Sequence, residues 1–257
     1  MKKNNNNSRL RKINRKYNAM RMKKEPIEIK DIFLKYPIIS LGHNCGPKKY
    51  IDKKVAEKEH LVFDYIGTSM WSINELFQND FVDLFNKEDY IHMQIFDGEE
   101  SNYLSNSKYY VRFMHDLLLE TNSEKTFELF EEKYKRRIQR LYEFLSTNSK
   151  IIFIRYEETY KNRIRYDRYA CKLEKLEHEY LDEFVNIIKK KFPNIDPKII
   201  YVRSNDVIET TSIIKTTNSN NHILTLKLET ELNWNNVDIV LENLFAKNCD
   251  QIKKFID

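Results

Sequence analysis

The stretch from Pro37 to Thr68 constrains the fold more than any other part of the chain. It holds three of the chain's four glycines, Gly42, Gly46 and Gly67. In a chain this poor in glycine, each one marks a place where the backbone turns tightly or something approaches closely. Residues 38–41 predict a short buried strand and residues 46–58 a helix. The chain therefore turns sharply between the two, around Cys45.

Cys45 lies between the predicted strand and the predicted helix. The unpaired N–H groups and the positive dipole end of a helix start favour thiolate over thiol. The same N–H groups can hold an oxyanion. A structural role is the alternative, since free cysteine is among the most buried residue types.

The charge of the chain divides it into two parts. Residues 1–24 carry ten lysines and arginines and no acid, so the remainder is net acidic although the whole chain has a formal charge of +5. We expect residues 1–30 to be a basic, disordered leader and residues 31–257 to be a single α/β domain. Alternatively, the leader forms an amphipathic helix that makes weak contact with an anionic surface.

Composition also excludes several classes of function. The part of the chain after residue 24 has no net positive charge, which argues against nucleic acid as the main substrate. The chain has no apolar run long enough for a membrane span and no secretory signal after its basic start. Three widely separated cysteines argue for a reducing compartment, so we expect a cytoplasmic location. The sequence lacks the spacings typical of metal and nucleotide sites, and we predict no cofactor.

Long apolar runs alternate with amphipathic helical patterns along the rest of the chain. Strands are predicted at 150–155, 198–203 and 222–228, and helices at 126–145, 173–191 and 237–245. Residues 79–108 are predicted to be an irregular surface excursion. This alternation predicts an α/β fold, with a mostly parallel sheet and helices on both faces; a papain-like α+β fold is the alternative. The turn at Cys45 follows the first strand, at the edge where such sheets bind ligands.

Three further sets of side chains are candidates for a site. Asp64 lies among apolar residues, where it is either a site carboxylate or a structural acceptor for N–H groups. His115 ends an aromatic run and precedes Asp116; the alternative for it is a structural histidine. The helix at 126–145 carries several arginines, most of them expected to be solvated, although one could reach a carboxylate or an anionic ligand.

Four motifs resemble a known family: Ser40-Leu41-Gly42 with Cys45, Phe63-Asp64-Tyr65, His115, and Arg136-Arg137-Ile138 with Arg140. Spread over residues 36–156, they resemble the family described as "putative papain-like cysteine peptidases", which is found in bacteria and large DNA viruses. The resemblance implies Cys45 as nucleophile, His115 as base and Asp64 as a third member. The Asn-, Lys- and Ile-rich composition suits an AT-rich genome such as that of a giant virus, which would place the protein in host cytoplasm or in the virion.

Three functions remain open from the sequence. We expect a thiol hydrolase that acts on an acyl substrate. The second is a transferase whose Gly42-to-Gly46 turn holds an anionic or sugar substrate; its binding residues would be Gly42, Asn44, Gly46, Arg112, Arg136 and Arg137. The third is a non-catalytic interaction module that is tethered by its leader.

Overall fold

A computed structural model describes residues 27–55, 59–96, 99–116, 124–157, 177–203, 221–228 and 237–257. Most of the predicted leader, the beginning of the helix predicted at 173–191, and Cys171 lie outside these ranges. Expectations about them therefore stay predictions.

Seven α-helices and seven strands occur in the described ranges, together with two short 3₁₀ helices at Val82–Phe85 and Lys87–Asp89. The helices are α1 (Ile27–Lys35), α2 (Gly46–Lys54), α3 (Met70–Gln78), α4 (Glu124–Thr147), α5 (Glu177–Lys191), α6 (Val237–Lys247) and α7 (Cys249–Ile256). The strands are β1 (Ile38–Ser40), β2 (Tyr90–Phe96), β3 (Glu99–Asn106), β4 (Val111–Phe113), β5 (Lys150–Glu157), β6 (Asp196–Arg203) and β7 (Ile223–Lys227). Helix α1 begins before the predicted end of the leader, and three of its apolar residues are buried. None of the helices in these ranges has the length and apolar character needed to cross a membrane.

Four strands form a parallel sheet in the order β1-β5-β6-β7. Their near-continuous apolar sequences are explained by burial on both faces, since alternate residues of β5 belong to two separate cores. Helices α3, α4 and α5 cover one face, and α1, α2, α6 and α7 cover the other. The predicted α/β class, with helices on both faces of a mostly parallel sheet, is confirmed.

The prediction of an irregular excursion at 79–108 is wrong. Strands β2, β3 and β4 form a three-stranded antiparallel sheet from this region. The sheet packs through Leu104 and Phe113 against the core that contains α4. The sequence of β3, EESNYLSN, does not alternate between apolar and polar residues, so it lacks the period-two pattern that would have indicated a strand. The C-terminal tail is likewise helical, and α7 contributes Cys249 to the second core.

Candidate active site

A left-handed turn carries the chain from β1 to α2. Gly42 has φ +70° and His43 has φ 77°. A Cβ atom on Gly42 would lie 2.5 Å from Thr68 Oγ1, so no other residue fits there without a shift. The turn is therefore pressed against the segment that precedes α3.

Thr68 and Arg155 hold this turn in place through hydrogen bonds. The Thr68 hydroxyl donates to Leu41 O (3.3 Å) and accepts from His43 N (3.2 Å). Arg155 is fully buried and donates from Nη1 to Leu41 O (2.7 Å) and from Nη2 to Thr68 O (2.8 Å). The carboxylate of Glu177, at the start of α5, pairs with Arg155. Sequence reasoning missed both members of this ion pair.

Cys45 is the residue that caps the N-terminus of α2. The residue is 3% exposed, and its side chain makes no capping hydrogen bond. The side chain of Asn44 instead accepts the N–H of Gly46 at 2.8 Å. A Cβ atom on Gly46 would lie 2.6 Å from Val237 Cγ2, so α6 closes over this end of the helix.

His115 reaches the same place from the antiparallel sheet. It follows β4, whose Arg112 exchanges backbone hydrogen bonds of 2.8 and 2.9 Å with Gly67. The structure places His115 Nε2 3.0 Å from Cys45 Sγ. With the thiol as donor, the proton of a neutral His115 ring is on Nδ1. The two side chains are within the reach that proton transfer requires.

Burial dominates the acidity of Cys45. It raises the pKa of the thiol to about 11, while the thiol's own backbone N–H and the charge of Lys49 lower it less. The expectation that the helix start favours the thiolate is therefore wrong for the structure at rest. The thiol needs a base to react at neutral pH.

Tyr65 packs against the other side of His115. The two rings are nearly perpendicular, with centroids 6.0 Å apart. The Tyr65 hydroxyl donates a 2.6 Å hydrogen bond to Asp52 Oδ2 on α2. Lys48 Nζ lies 3.0 Å from the other oxygen of Asp52. Sequence reasoning noticed Tyr65 as part of a motif and assigned it no role.

Asp64, the predicted third member, contacts Lys48 rather than His115. Its Oδ2 accepts the N–H of Leu61 at 2.8 Å and lies 3.3 Å from Lys48 Nζ. Burial raises the pKa of this carboxyl to about 6, although Lys48 and the Leu61 N–H lower it. These contacts match the structural alternative, in which Asp64 accepts backbone N–H groups.

Asp116, directly after His115, is also engaged elsewhere. Its two oxygens accept from Lys133 and from the Tyr134 hydroxyl (2.6 Å), both on α4. Neither Asp64 nor Asp116 contacts His115 through these bonds. Asp116 therefore attaches the turn that carries His115 to α4.

The predicted arginines are spread over the fold. Arg136 is exposed and pairs loosely with Glu132, at 3.9 Å. Arg137 is buried with its guanidinium over the Tyr134 ring, 5.0 Å from the centroid. The Arg112 side chain lies against Gly67. They do not converge on the turn at Gly42.

The N–H groups expected to grip an anion already have partners in this conformation. Gly42 N donates to Ser40 Oγ at 3.2 Å, and Gly46 N donates to Asn44 Oδ1. The arrangement thus gives no support to the anion-binding transferase. Within the described ranges, no three His, Cys, Asp or Glu side chains cluster as metal ligands would.

A cysteine at a helix N-terminus in hydrogen-bond contact with a histidine is the arrangement that thiol hydrolases use. The chain belongs to the family described as "Putative papain-like cysteine peptidase (DUF1796)", whose model matches residues 36–207. The family resemblance stated from the motifs is confirmed. Comparison with curated proteins found no match, and comparison with solved structures found none either.

Proposed function

We propose that the protein is a thiol hydrolase in which Cys45 is the nucleophile and His115 is the general base. The observation that carries this proposal is the 3.0 Å distance between Cys45 Sγ and His115 Nε2. The two residues come from different parts of the fold, a helix start and the turn after an antiparallel strand. The family's description as cysteine peptidases agrees with this chemistry.

The acidity of Cys45 explains why a base is needed. With a pKa of about 11, almost none of the Cys45 thiol would be ionised at pH 7 without a base. A histidine in contact with the thiol removes the proton as the sulfur attacks, so the free thiolate need not accumulate. His115 is at the right distance for this role.

The reaction then has two steps. In the first, Sγ bonds to the acyl carbon while His115 Nε2 takes the thiol proton; the bond to the leaving amine or alcohol then breaks as His115 returns that proton. In the second, His115 takes a proton from water, whose oxygen attacks the thioester. The acid is released, and the proton returns to Cys45.

The developing oxyanion needs a donor near the sulfur. The N–H of Gly46 already donates to Asn44 Oδ1. The backbone N–H of Cys45 belongs to the nucleophile's own residue, and its hydrogen bond lowers the pKa of the thiol. We therefore assign the oxyanion to the Cys45 N–H, where a preorganised donor contributes most.

The proposal is tested by the pH dependence of Cys45 alkylation with iodoacetamide, followed peptide by peptide by mass spectrometry. We expect wild-type Cys45 to react at neutral pH. In His115→Ala, the rate at pH 7 should fall by about 10²-fold or more, with reaction recovering only as the pH approaches the raised thiol pKa.

Two controls show that the loss is specific. Cys249, buried in α7, should react identically in both proteins. His222→Ala removes a histidine whose ring contacts the Pro197 carbonyl at 2.9 Å, remote in sequence from Cys45, and it should leave the Cys45 profile unchanged. If His115→Ala keeps the wild-type profile of Cys45, the proposal is wrong.

A further inference from the structure

Tyr65 connects His115 to a carboxylate that neither sequence nor family resemblance identified. Its ring contacts the His115 ring, and its hydroxyl is bonded to Asp52 Oδ2 at 2.6 Å. We propose that Tyr65 is the positioning residue that holds the His115 imidazole in line with Cys45, and that Asp52 anchors Tyr65. This inference rests on the proposed function, because the position of His115 affects a reaction only if His115 is its base.

The backbone of Tyr65 supports this role. Its φ is 61°, a left-handed conformation that is unfavourable for a bulky side chain. Such conformations persist where surrounding contacts determine them, and they are common at functional sites. Here the neighbouring side chains separate, Asp64 reaching Lys48 and Leu61 while Tyr65 reaches His115 and Asp52.

Helix α2 makes the arrangement rigid. Cys45, Lys48 and Asp52 are spaced by three and four residues, so they follow one face of the helix. Lys48 holds Asp52 at 3.0 Å. The contacts from Cys45 to His115, Tyr65 and Asp52 therefore form a closed loop that starts and ends on one helix. A closed loop leaves the imidazole less freedom than a single contact would.

The electrostatics of the loop also suit a base that becomes positively charged. A phenol that donates to a carboxylate gains electron density on its ring, and an electron-rich ring attracts a cation. Besides His115, the charged and titratable groups near Tyr65 include Asp52, Asp64, Cys45 and the His60 ring, whose centroid is 5.5 Å away. Burial and the bond to Asp52 raise the pKa of Tyr65, so its hydroxyl remains a donor at neutral pH.

Two variants distinguish the contribution of the Tyr65 hydroxyl from that of its ring. Tyr65→Phe keeps the ring and removes the anchor, while Tyr65→Leu removes the ring. Tyr142→Phe is the matched control, because its hydroxyl donates to Asp80 at 2.8 Å in another part of the fold. Each protein is labelled with ¹⁵N-histidine, the His115 ring signals are assigned by their loss in His115→Ala, and Cys45 alkylation is measured at pH 7.

We expect wild-type His115 to show the separated ring-nitrogen shifts of one fixed tautomer. Both Tyr65 variants should move toward averaged shifts, Tyr65→Leu further than Tyr65→Phe. Cys45 alkylation should fall roughly tenfold in Tyr65→Phe and roughly a hundredfold in Tyr65→Leu, as expected for a displaced catalytic group. Tyr142→Phe should match the wild type in both measurements.

Wild-type ring-nitrogen shifts in both Tyr65 variants would overturn the inference. If Tyr65→Leu does not fold, Tyr65→Phe decides it by the same shifts. The proposed function fails separately, when His115→Ala leaves Cys45 alkylation unchanged. In that case the ring shifts still show whether Tyr65 fixes His115.

Discussion

Gly67 and Arg112 are joined by two backbone hydrogen bonds, Gly67 N to Arg112 O at 2.8 Å and Arg112 N to Gly67 O at 2.9 Å. Gly67 precedes Thr68, which holds the turn before Cys45, and Arg112 lies three residues before His115. This bridge connects the antiparallel sheet to the segment against which the Cys45 turn rests.

The bridge predicts different results for two substitutions at Arg112. Arg112→Pro removes the N–H that donates to Gly67, whereas Arg112→Ala keeps it. In an antiparallel ladder, a residue exchanges both hydrogen bonds with one neighbour, so Ser105, paired with Arg112 on its other side, loses none. We expect Arg112→Pro to abolish the His115 dependence of Cys45 alkylation and Arg112→Ala to retain it.

For each Arg112 variant, the pH profile of Cys45 alkylation is measured twice, once with His115 present and once in combination with His115→Ala. Circular dichroism should first establish that Arg112→Pro is folded. A folded Arg112→Pro protein with wild-type dependence on His115 would show that the bridge does not place the histidine.

Gly42 predicts a local cost in stability. An alanine there must adopt a left-handed conformation, which costs about 1–2 kcal/mol, and its Cβ would lie 2.5 Å from Thr68 Oγ1. We expect Gly42→Ala to lower the free energy of unfolding in urea by at least that amount and to slow Cys45 alkylation at pH 7. Gly67→Ala is the comparison, because its nearest neighbour is the Arg112 side chain at 3.0 Å. Equal losses in both variants would contradict the strain argument.

Much of the parallel sheet could be predicted from the sequence. The apolar runs at 150–155 and 198–203 fall within β5 and β6. A parallel strand that is buried on both faces needs apolar residues at nearly every position, so its sequence is recognisable. The position of Cys45 between strand and helix followed from the same reasoning together with Gly42. These features are local, which is why a single sequence is sufficient.

The partners of the site residues could not be predicted in the same way. Asp64 and Tyr65 are adjacent, yet their side chains reach different groups, and the left-handed φ of Tyr65 is not visible in sequence. The ion pair between Arg155 and Glu177 joins the end of a strand to the start of a later helix. An arginine at the end of an apolar run does indicate a buried ion pair, because a buried guanidinium needs an acidic partner. Nothing in the sequence indicates which acid it is.

The buried pair predicts a strong coupling between Arg155 and Glu177. Arg155→Met would leave the Glu177 carboxylate buried without its cation, and we expect a loss of about 3–5 kcal/mol in the free energy of unfolding. The double variant Arg155→Met, Glu177→Leu should recover part of this loss, because neither charge then stays buried alone. Urea unfolding of the four proteins in the cycle measures the coupling. Additive losses would show that the pair is not coupled.

The raised pKa of Asp64 predicts how stability depends on pH. The pKa of this carboxyl is about 6 in the folded protein against an ordinary value of 3.8, because burial disfavours its charged form. The folded state thus binds the Asp64 proton more tightly than the unfolded state. The resulting stabilisation is complete below pH 3.8 and is lost as the pH rises through 6.

Asp64→Asn should therefore change the pH profile of stability in a defined direction. Between pH 7 and pH 5, the free energy of unfolding of the wild type should rise by about 1 kcal/mol relative to Asp64→Asn. A pH unit contributes at most about 1.4 kcal/mol, and most of the gain comes below the folded pKa of about 6. Urea unfolding at the two pH values measures the difference. Asp80→Asn is the control, because Lys191 and Tyr142 lower the pKa of Asp80 from 3.8. Its contribution is lost only at pH values below 3.8, so Asp80→Asn should leave the wild-type change between pH 7 and pH 5 unaltered. If the wild type loses stability relative to Asp64→Asn on acidification, Asp64 is held in its charged form, and Lys48 rather than burial controls its acidity.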